Sequence, residues 1–175
     1  MKSRLEDIDY SPKRNINKSQ IATYSECHWI RNGHNLIITG LTGTGKTYLG
    51  CALGIRACYY DYKVQYYRLP RLLTDLAISK TDGTYNKLMN KLKKVNLLIF
   101  DDFGLAKLSL QETRDFLELI EDRNTISSCM FISQVPLANW YELFTDPTLA
   151  DAIMDRLINN SYQIEIQGPS MRKNL

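Results

Sequence analysis

Apolar residues fall along the chain in two rhythms. Short unbroken runs alternate with longer stretches in which apolar positions recur every three or four residues. Unbroken runs of about five residues bounded by glycine or polar residues predict strands buried on both faces. They occur at Asn35–Thr39, which Gly40 ends, at Val95–Phe100, which is the clearest, and at Ser128–Ser133. Lys63–Tyr67 and Tyr162–Ile166 predict two more strands. Between them the spacing predicts helices over Lys46–Tyr60, with Leu49, Leu53 and Ala57 four apart, and over Leu69–Ser79 and Tyr85–Lys94, split at Asp82-Gly83. A helix over Leu110–Asn124 carries its own start signal, Ser109 with Glu112 three residues on, which together make a capping box. Asp146-Pro147 opens a last helix to about Asn159, with proline in the first turn where its missing N–H costs nothing. Strands that alternate with helices imply an α/β fold of three layers with a five-stranded parallel sheet. Such sheets bind ligands beyond the carboxyl ends of their strands, so chemistry is expected in the loops that follow each strand.

Composition narrows the class. A chain of 175 residues, 44% hydrophobic and 23% charged, fits one globular domain. No apolar run approaches the ~18 residues of a membrane span, and the N-terminus, MKSRLEDIDYSPKR, is too charged for a secretory signal; a cytoplasmic protein is expected. The four cysteines, Cys27, Cys51, Cys58 and Cys129, form no CxxC pair, and with only His28 and His34 beside them they read as reduced thiols rather than zinc ligands. Net charge is +3, but eight lysines and arginines against two aspartates give Lys63–Lys94 a net +6 and leave the rest at −3. A basic segment on an otherwise acidic chain suggests a polyanion partner.

The loop after the first strand carries the strongest chemical signal. Gly40-Leu-Thr42-Gly43-Thr44-Gly45-Lys46-Thr47 matches GxxxxGK[ST], the P-loop, with a strand before it and a helix after it. Glycines let backbone N–H groups curl around phosphate oxygens, and the helix that begins there adds its positive end. Lys46 is expected on the terminal phosphates, the Thr47 hydroxyl on Mg²⁺, and Tyr48 is counted with the loop. A carboxylate near that metal must come from the end of another strand, and Leu97-Leu-Ile-Phe-Asp101-Asp102 supplies two. Asp101 is assigned to the metal and Asp102 to the attacking water, with a nucleoside triphosphate and Mg²⁺ as the expected ligands. Gln134, at the end of the Ser128–Ser133 run, is placed beside the γ-phosphate.

With these residues in place the chain resembles the IstB/DnaC-like branch of the AAA+ ATPases. The likeness runs through LEDIDYSPKR, LITGLTGTGKT, YRLPRLL, LLIFDDFG, LELIEDR, ISQVPLANWYEL, DPTLADAIMDRL and QGPSMRK. DDFG with DPTLADAIMDRL is far more specific than the P-loop, and favours helper ATPases of insertion-sequence transposition over helicase loaders. The resemblance implies an N-terminal linker and first helix at 1–34, an ATPase core at 35–167 and a short sensor tail at 168–175. The resemblance implies an extra N-terminal domain in full-length helpers, whereas this chain starts at the ATPase core and lacks a full helical lid, which leaves open both a fragment and a whole protein. Arg156 matches the arginine finger that reaches a neighbour's nucleotide, Arg172 the sensor arginine, and Ile8-Asp9-Tyr10 a segment near the adenine. DNA-contacting helices are implied around Arg68, Arg71, Lys87, Lys91 and Lys93. The implied function is ATP hydrolysis in a head-to-tail oligomer on DNA that assists a transposase. Asp102 stands where most AAA+ proteins have glutamate, and Gln134 where many relatives have asparagine, which implies slow turnover stimulated by DNA or assembly. The alternative implied is a DnaC-like loader of a replicative helicase on single-stranded DNA. A small-molecule kinase would need a lid with clustered arginines, and none is visible; a nucleotide-dependent binding module without turnover is the remaining reading.

Overall fold

The computed structural model of the chain describes residues 2–172. Five strands, β1 (Asn35–Gly40), β2 (Val64–Arg68), β3 (Leu97–Asp101), β4 (Ser128–Ser133) and β5 (Ser161–Ile166), form one sheet in the order β2-β3-β4-β1-β5. Every neighbouring pair is parallel. Helices α1 (Lys18–Ser25), α2 (His28–Arg31), α3 (Lys46–Tyr59), α4 (Leu69–Asp82), α5 (Tyr85–Lys93), α6 (Leu110–Arg123) and α7 (Pro147–Ile158) cover its two faces. No helix among the described residues is long and apolar enough to cross a membrane.

The unbroken apolar runs are explained by what lies on each side of them. Along β3 every residue is buried. Leu97 and Ile99 point into a core built with α1 and α3, while Leu98 and Phe100 point into a second core built with α4 to α7. A strand whose residues alternate between two dry cores has no polar face. α3 lies close against the sheet because Gly50 has no side chain: a Cβ there would stand 2.5 Å from the Ile132 side chain. Ser109 caps α6 with the expected reciprocal bonds to Glu112, Asp146 caps α7 through the Leu149 N–H, and Gly83 ends α4 in a left-handed conformation (φ 78°).

Two features depart from the pattern: the strand predicted from Val95 begins at Leu97, and a 3-10 helix follows β4. Val95 is buried yet precedes β3, and its carbonyl, with those of Leu92 and Ser128, accepts from the buried Arg123 guanidinium at 2.6–2.8 Å. A 3-10 helix, Leu137–Leu143, turns inward on Trp140, which is fully buried and donates its indole N–H to the Val135 carbonyl at 2.8 Å. Neither it nor the single-turn α2 is long enough to show periodicity.

The strand order places three loops side by side. β4 lies between β1 and β3, with Thr39 level with Ser133 and Phe100 level with Phe131. The loops after β1, β3 and β4 therefore open on the same edge, where the Gly40–Thr47 loop, the Asp101-Asp102 pair and Gln134 all fall.

Candidate nucleotide site

The loop after β1 is held by its own side chains. Gly40 ends the strand, and the buried Thr44 donates its hydroxyl to the Leu41 carbonyl at 2.7 Å. Gly45 caps α3 in a left-handed conformation (φ 95°), which no β-carbon-bearing residue adopts without strain. Lys46, the first residue of α3, donates to the same Leu41 carbonyl at 2.9 Å. Burial lowers the Lys46 pKa and Asp101 pushes it back up. Tyr48, in the first turn, uses its hydroxyl to hold the N-terminal segment, donating to Asp7 at 3.3 Å and accepting from the Arg4 N–H at 3.1 Å.

The acidic pair divides its labour. Asp101 is 5% exposed and fully engaged: Oδ2 accepts from Thr47 Oγ1 at 2.7 Å and from the Tyr66 hydroxyl at 2.5 Å, while Oδ1 accepts from the Asp102 N–H at 2.7 Å. Asp102 sits in a left-handed conformation (φ 55°) that turns its carboxylate into the cleft. Phe103 anchors this turn. It is fully buried beside Trp140, Phe116 and Phe131, its N–H donates to the Ile132 carbonyl at 3.0 Å, and its carbonyl accepts from Ser133 Oγ at 2.5 Å. Just after β4, Gln134 accepts from the Thr42 hydroxyl at 2.7 Å and so bridges to the glycine loop.

These groups line one open cleft of about 590 Å³, with Thr42, Gly43, Gly45, Lys46, Thr47, Tyr48, Asp101, Asp102 and Gln134 in its wall, joined by Arg68, Met171 and Arg172. Arg172, the residue matched to the sensor arginine, thus lines this cleft; Lys173 of the same motif lies outside the described residues. The tail reaches the loop through the Met171 N–H, which donates to the Gly43 carbonyl at 2.7 Å. Ile8 and Tyr10 pack against the α3-side core, and Asp9 accepts from the Ser11 N–H at 2.9 Å.

Two groups of expected residues lie differently from their grouping in the sequence. Arg68, counted among the DNA contacts, is in the cleft: its Nε is 2.6 Å from Asp102 Oδ2. Arg71 pairs with Asp75 on its own helix at 3.5 Å, while Lys87, Lys91 and Lys93 stand exposed on α5. Arg156 lies at the opposite end of the sheet. Its Nη2 is 2.9 Å from Glu121, its Nη1 donates to the Ala152 carbonyl at 2.8 Å, and its own carbonyl meets Asn35 at the start of β1. A six-residue strand, roughly 17 Å at ~3.3 Å per residue, separates it from the loop at the other end of β1.

Tyr66 was not singled out by the sequence, where an aromatic in a strand reads as a strand former. The alternation of side chains was the available signal: Tyr66 and Arg68, two apart on β2, share a face, and that face meets the two aspartates.

A parallel sheet of order β2-β3-β4-β1-β5, a glycine loop running into a helix after β1 and an acidic pair after β3 define a P-loop nucleotide-binding protein of the AAA+ class. The fold is shared with the solved structures of DnaI (TM-score 0.80, 23% identity, 95% of this chain and 92% of that one) and of AMPPCP-bound DnaA from Aquifex aeolicus (TM-score 0.78, 21% identity, 95% and 50%). The family model for the IstB-like ATP binding protein matches residues 1–175, and this chain belongs to that family. Among its relatives, an insertion sequence ATP-binding protein of Sinorhizobium fredii is 43% identical over 169 residues, which span 97% of this chain and 69% of the relative. The IS1162 ATP-binding protein of Pseudomonas fluorescens is 45% identical over 132 residues, 75% of this chain and 57% of the relative.

Proposed function

We propose that this chain binds ATP with Mg²⁺ in the cleft and hydrolyses it as a helper ATPase of DNA transposition, assembling on DNA and assisting a transposase. The observation that carries the reading is the meeting of Lys46, Thr47, Asp101, Asp102 and Gln134 from three strand ends in one cleft, in a chain whose relatives are insertion sequence ATP-binding proteins.

The donor set fits the metal. Thr47 Oγ1 and Asp101 Oδ2 are hard oxygens 2.7 Å apart, and no group of three or more His, Cys, Asp or Glu side chains clusters among the described residues. Two oxygens suit Mg²⁺, which takes few protein ligands and completes its shell with water and substrate phosphates. When bound it neutralises charge on the phosphate oxygens. Lys46 supplies a second cation there. Asp102 orients the attacking water and accepts its proton, and Gln134 holds that water near the γ-phosphate.

The cleft has two arginines of its own. Arg68 is engaged by Asp102, and Arg172 stands on the tail as the sensor of bound phosphate. With Arg68 committed to Asp102, charge that develops on the transferring group is assigned to a further arginine. Arg156 is a strand length too far from its own loop, so it acts on a neighbour's nucleotide, in a head-to-tail oligomer. The test is mixing. Asp102→Asn subunits, with an intact finger, are combined with Arg156→Ala subunits, with an intact cleft, in the presence of duplex DNA. Each alone is expected to release phosphate at least about tenfold more slowly than the unaltered protein, and the mixture to recover activity. Absence of phosphate release by the unaltered protein with DNA would remove the ATPase reading. Release by the unaltered protein without recovery in mixtures that co-assemble would remove the shared site.

A further inference from the structure

Arg14 is a buried cation that makes no ion pair among the described residues, although Asp9 feels its charge. It closes a short 3-10 turn, Pro12–Arg14, and is 2% exposed. Its Nη2 donates to the Thr44 carbonyl and its Nη1 to the Pro169 carbonyl at 3.1 Å, while its buried Nε has no partner. Arg123 shows what a purely structural buried arginine looks like here. It is equally buried, and its Nε, Nη1 and Nη2 reach Cys129 Sγ and three carbonyls. A buried charge that is not compensated is costly, and persists where something else compensates it.

The position of Arg14 indicates what does. The Thr44 carbonyl belongs to the same peptide unit as the Gly45 N–H, and Gly45 is the cap of α3 in the heart of the phosphate loop. A Cβ on Gly45 would stand 3.6 Å from Arg14 Nη2, so the guanidinium lies directly behind that peptide. Withdrawing charge from a carbonyl strengthens the N–H of the same peptide as a donor. In a P-loop that N–H serves bound phosphate. The Pro169 bond adds the tail, whose Met171 N–H also holds the loop at the Gly43 carbonyl at 2.7 Å.

We propose that Arg14 is a positioning residue for the polyphosphate: a buried cation behind the Thr44–Gly45 peptide whose counter-charge is the bound di- or triphosphate, and which ties tail and loop into one anion-binding unit. This rests on the nucleotide reading of the cleft. It predicts an effect that scales with ligand charge. In Arg14→Met, ATP and pyrophosphate should bind about tenfold more weakly, ADP several-fold more weakly, and adenosine as in the unaltered protein. Arg14→Lys, which keeps the charge, should recover at least half of the loss on a logarithmic scale. The ligand-free Tm of Arg14→Met should fall by no more than a few degrees, and that of Arg123→Met by clearly more.

Calorimetric titration of the four ligands, with thermal melts of the same samples, decides the matter. Equal weakening of adenosine and ATP, or unchanged binding of all four ligands, would overturn the proposal and leave Arg14 a fold-holding residue. Failure of the unaltered protein to bind ATP or pyrophosphate would instead overturn the nucleotide reading beneath it. Should Arg14→Met not fold, Arg14→Lys and Arg14→Gln carry the same test, with Gln expected to follow the charge-dependent losses and Lys to resist them.

Discussion

The cleft at the ends of β1, β3 and β4 and the basic face of α5 both stand out in the sequence by their charge, and they are built in opposite ways. In the cleft Lys46, Thr47, Asp101, Asp102 and Gln134 each hold a partner at 2.6–2.9 Å. On α5, Lys87, Lys91 and Lys93 are exposed and make no ion pair among the described residues. The +6 segment proves to be three things. Arg68 belongs to the cleft, and Arg71 and Lys80 are paired with Asp75 and Asp115. The remainder forms an open face, where Lys63, Lys91 and Lys94 edge a shallow hollow over Val64, Gln65 and Val95. Charge counted along a chain overstates charge available to a partner. Groups that do chemistry need preorganisation, so they are pinned. Groups that meet a nucleic-acid backbone by electrostatics alone can stay solvated and mobile until they bind.

The comparison is broken most directly at Lys46. Lys46→Ala should weaken ATP binding by at least about a hundredfold, since it removes the side-chain cation expected on the terminal phosphates. The measurement is a titration with ATP and Mg²⁺; near-normal affinity would mean that this hydrogen-bonded cleft is not the nucleotide site. Reversing Lys87, Lys91 and Lys93 together to glutamate should leave that titration unchanged. It should lower duplex DNA affinity by roughly a hundredfold at low salt and flatten its dependence on salt, by about 0.9 in log–log slope for each phosphate the protein no longer neutralises. An unchanged slope would move the DNA site off α5.

Arg68 sharpens the line between the two regions, because sequence and structure disagree about its side. Arg68→Gln should reduce turnover by about tenfold, because Asp102 loses the side chain that orients it, and should leave the salt slope of DNA binding where it was. The reverse pattern, normal turnover with a flatter slope, would return Arg68 to the basic face.

How much of the molecule is readable from its sequence depends on how local each feature is. The glycine loop is eight consecutive residues whose spacing is itself the geometry, and the acids announce themselves by following four apolar residues. The central strands β1, β3 and β4 were legible as short apolar runs because both their faces are covered, whereas the edge strands β2 and β5 are partly exposed and were marked mainly by the helices on either side of them. Tyr66 and Arg14 were not legible. Their partners, Asp101 and Thr44, lie 35 and 30 residues away, and each has an ordinary local reading: a strand aromatic and a charge in a polar N-terminus. Arg68 was assigned to its sequence neighbours when strand alternation had turned it toward the acids. The 3-10 helix was hidden because it owes its existence to Trp140 finding a buried place, which no periodicity encodes.

The smallest expected effect tests whether β2 holds the two aspartates for different purposes. Tyr66 donates to the Asp101 oxygen that also accepts from Thr47, so it should fix the carboxylate that meets the metal. Arg68 holds Asp102, the carboxylate proposed to meet the attacking water. Tyr66→Phe keeps the ring and removes only the donor. The half-saturating Mg²⁺ concentration for ATP hydrolysis should then rise about threefold, with turnover at saturating Mg²⁺ within about twofold of normal. Arg68→Gln should do the opposite, lowering turnover and leaving the Mg²⁺ requirement alone. Burial first, and then Asp101, push the Tyr66 pKa up, so the hydroxyl keeps its proton throughout the working range. The difference between the unaltered protein and Tyr66→Phe should therefore be constant between about pH 6.5 and 9. Mg²⁺ titrations of the ATPase rate across that range check both points. A difference that shrank as the pH rose would mean the phenol is ionising and that Asp101 does not hold its proton in place. A loss of turnover equal to that of Arg68→Gln, at unchanged Mg²⁺ requirement, would mean the two side chains serve one carboxylate system rather than two.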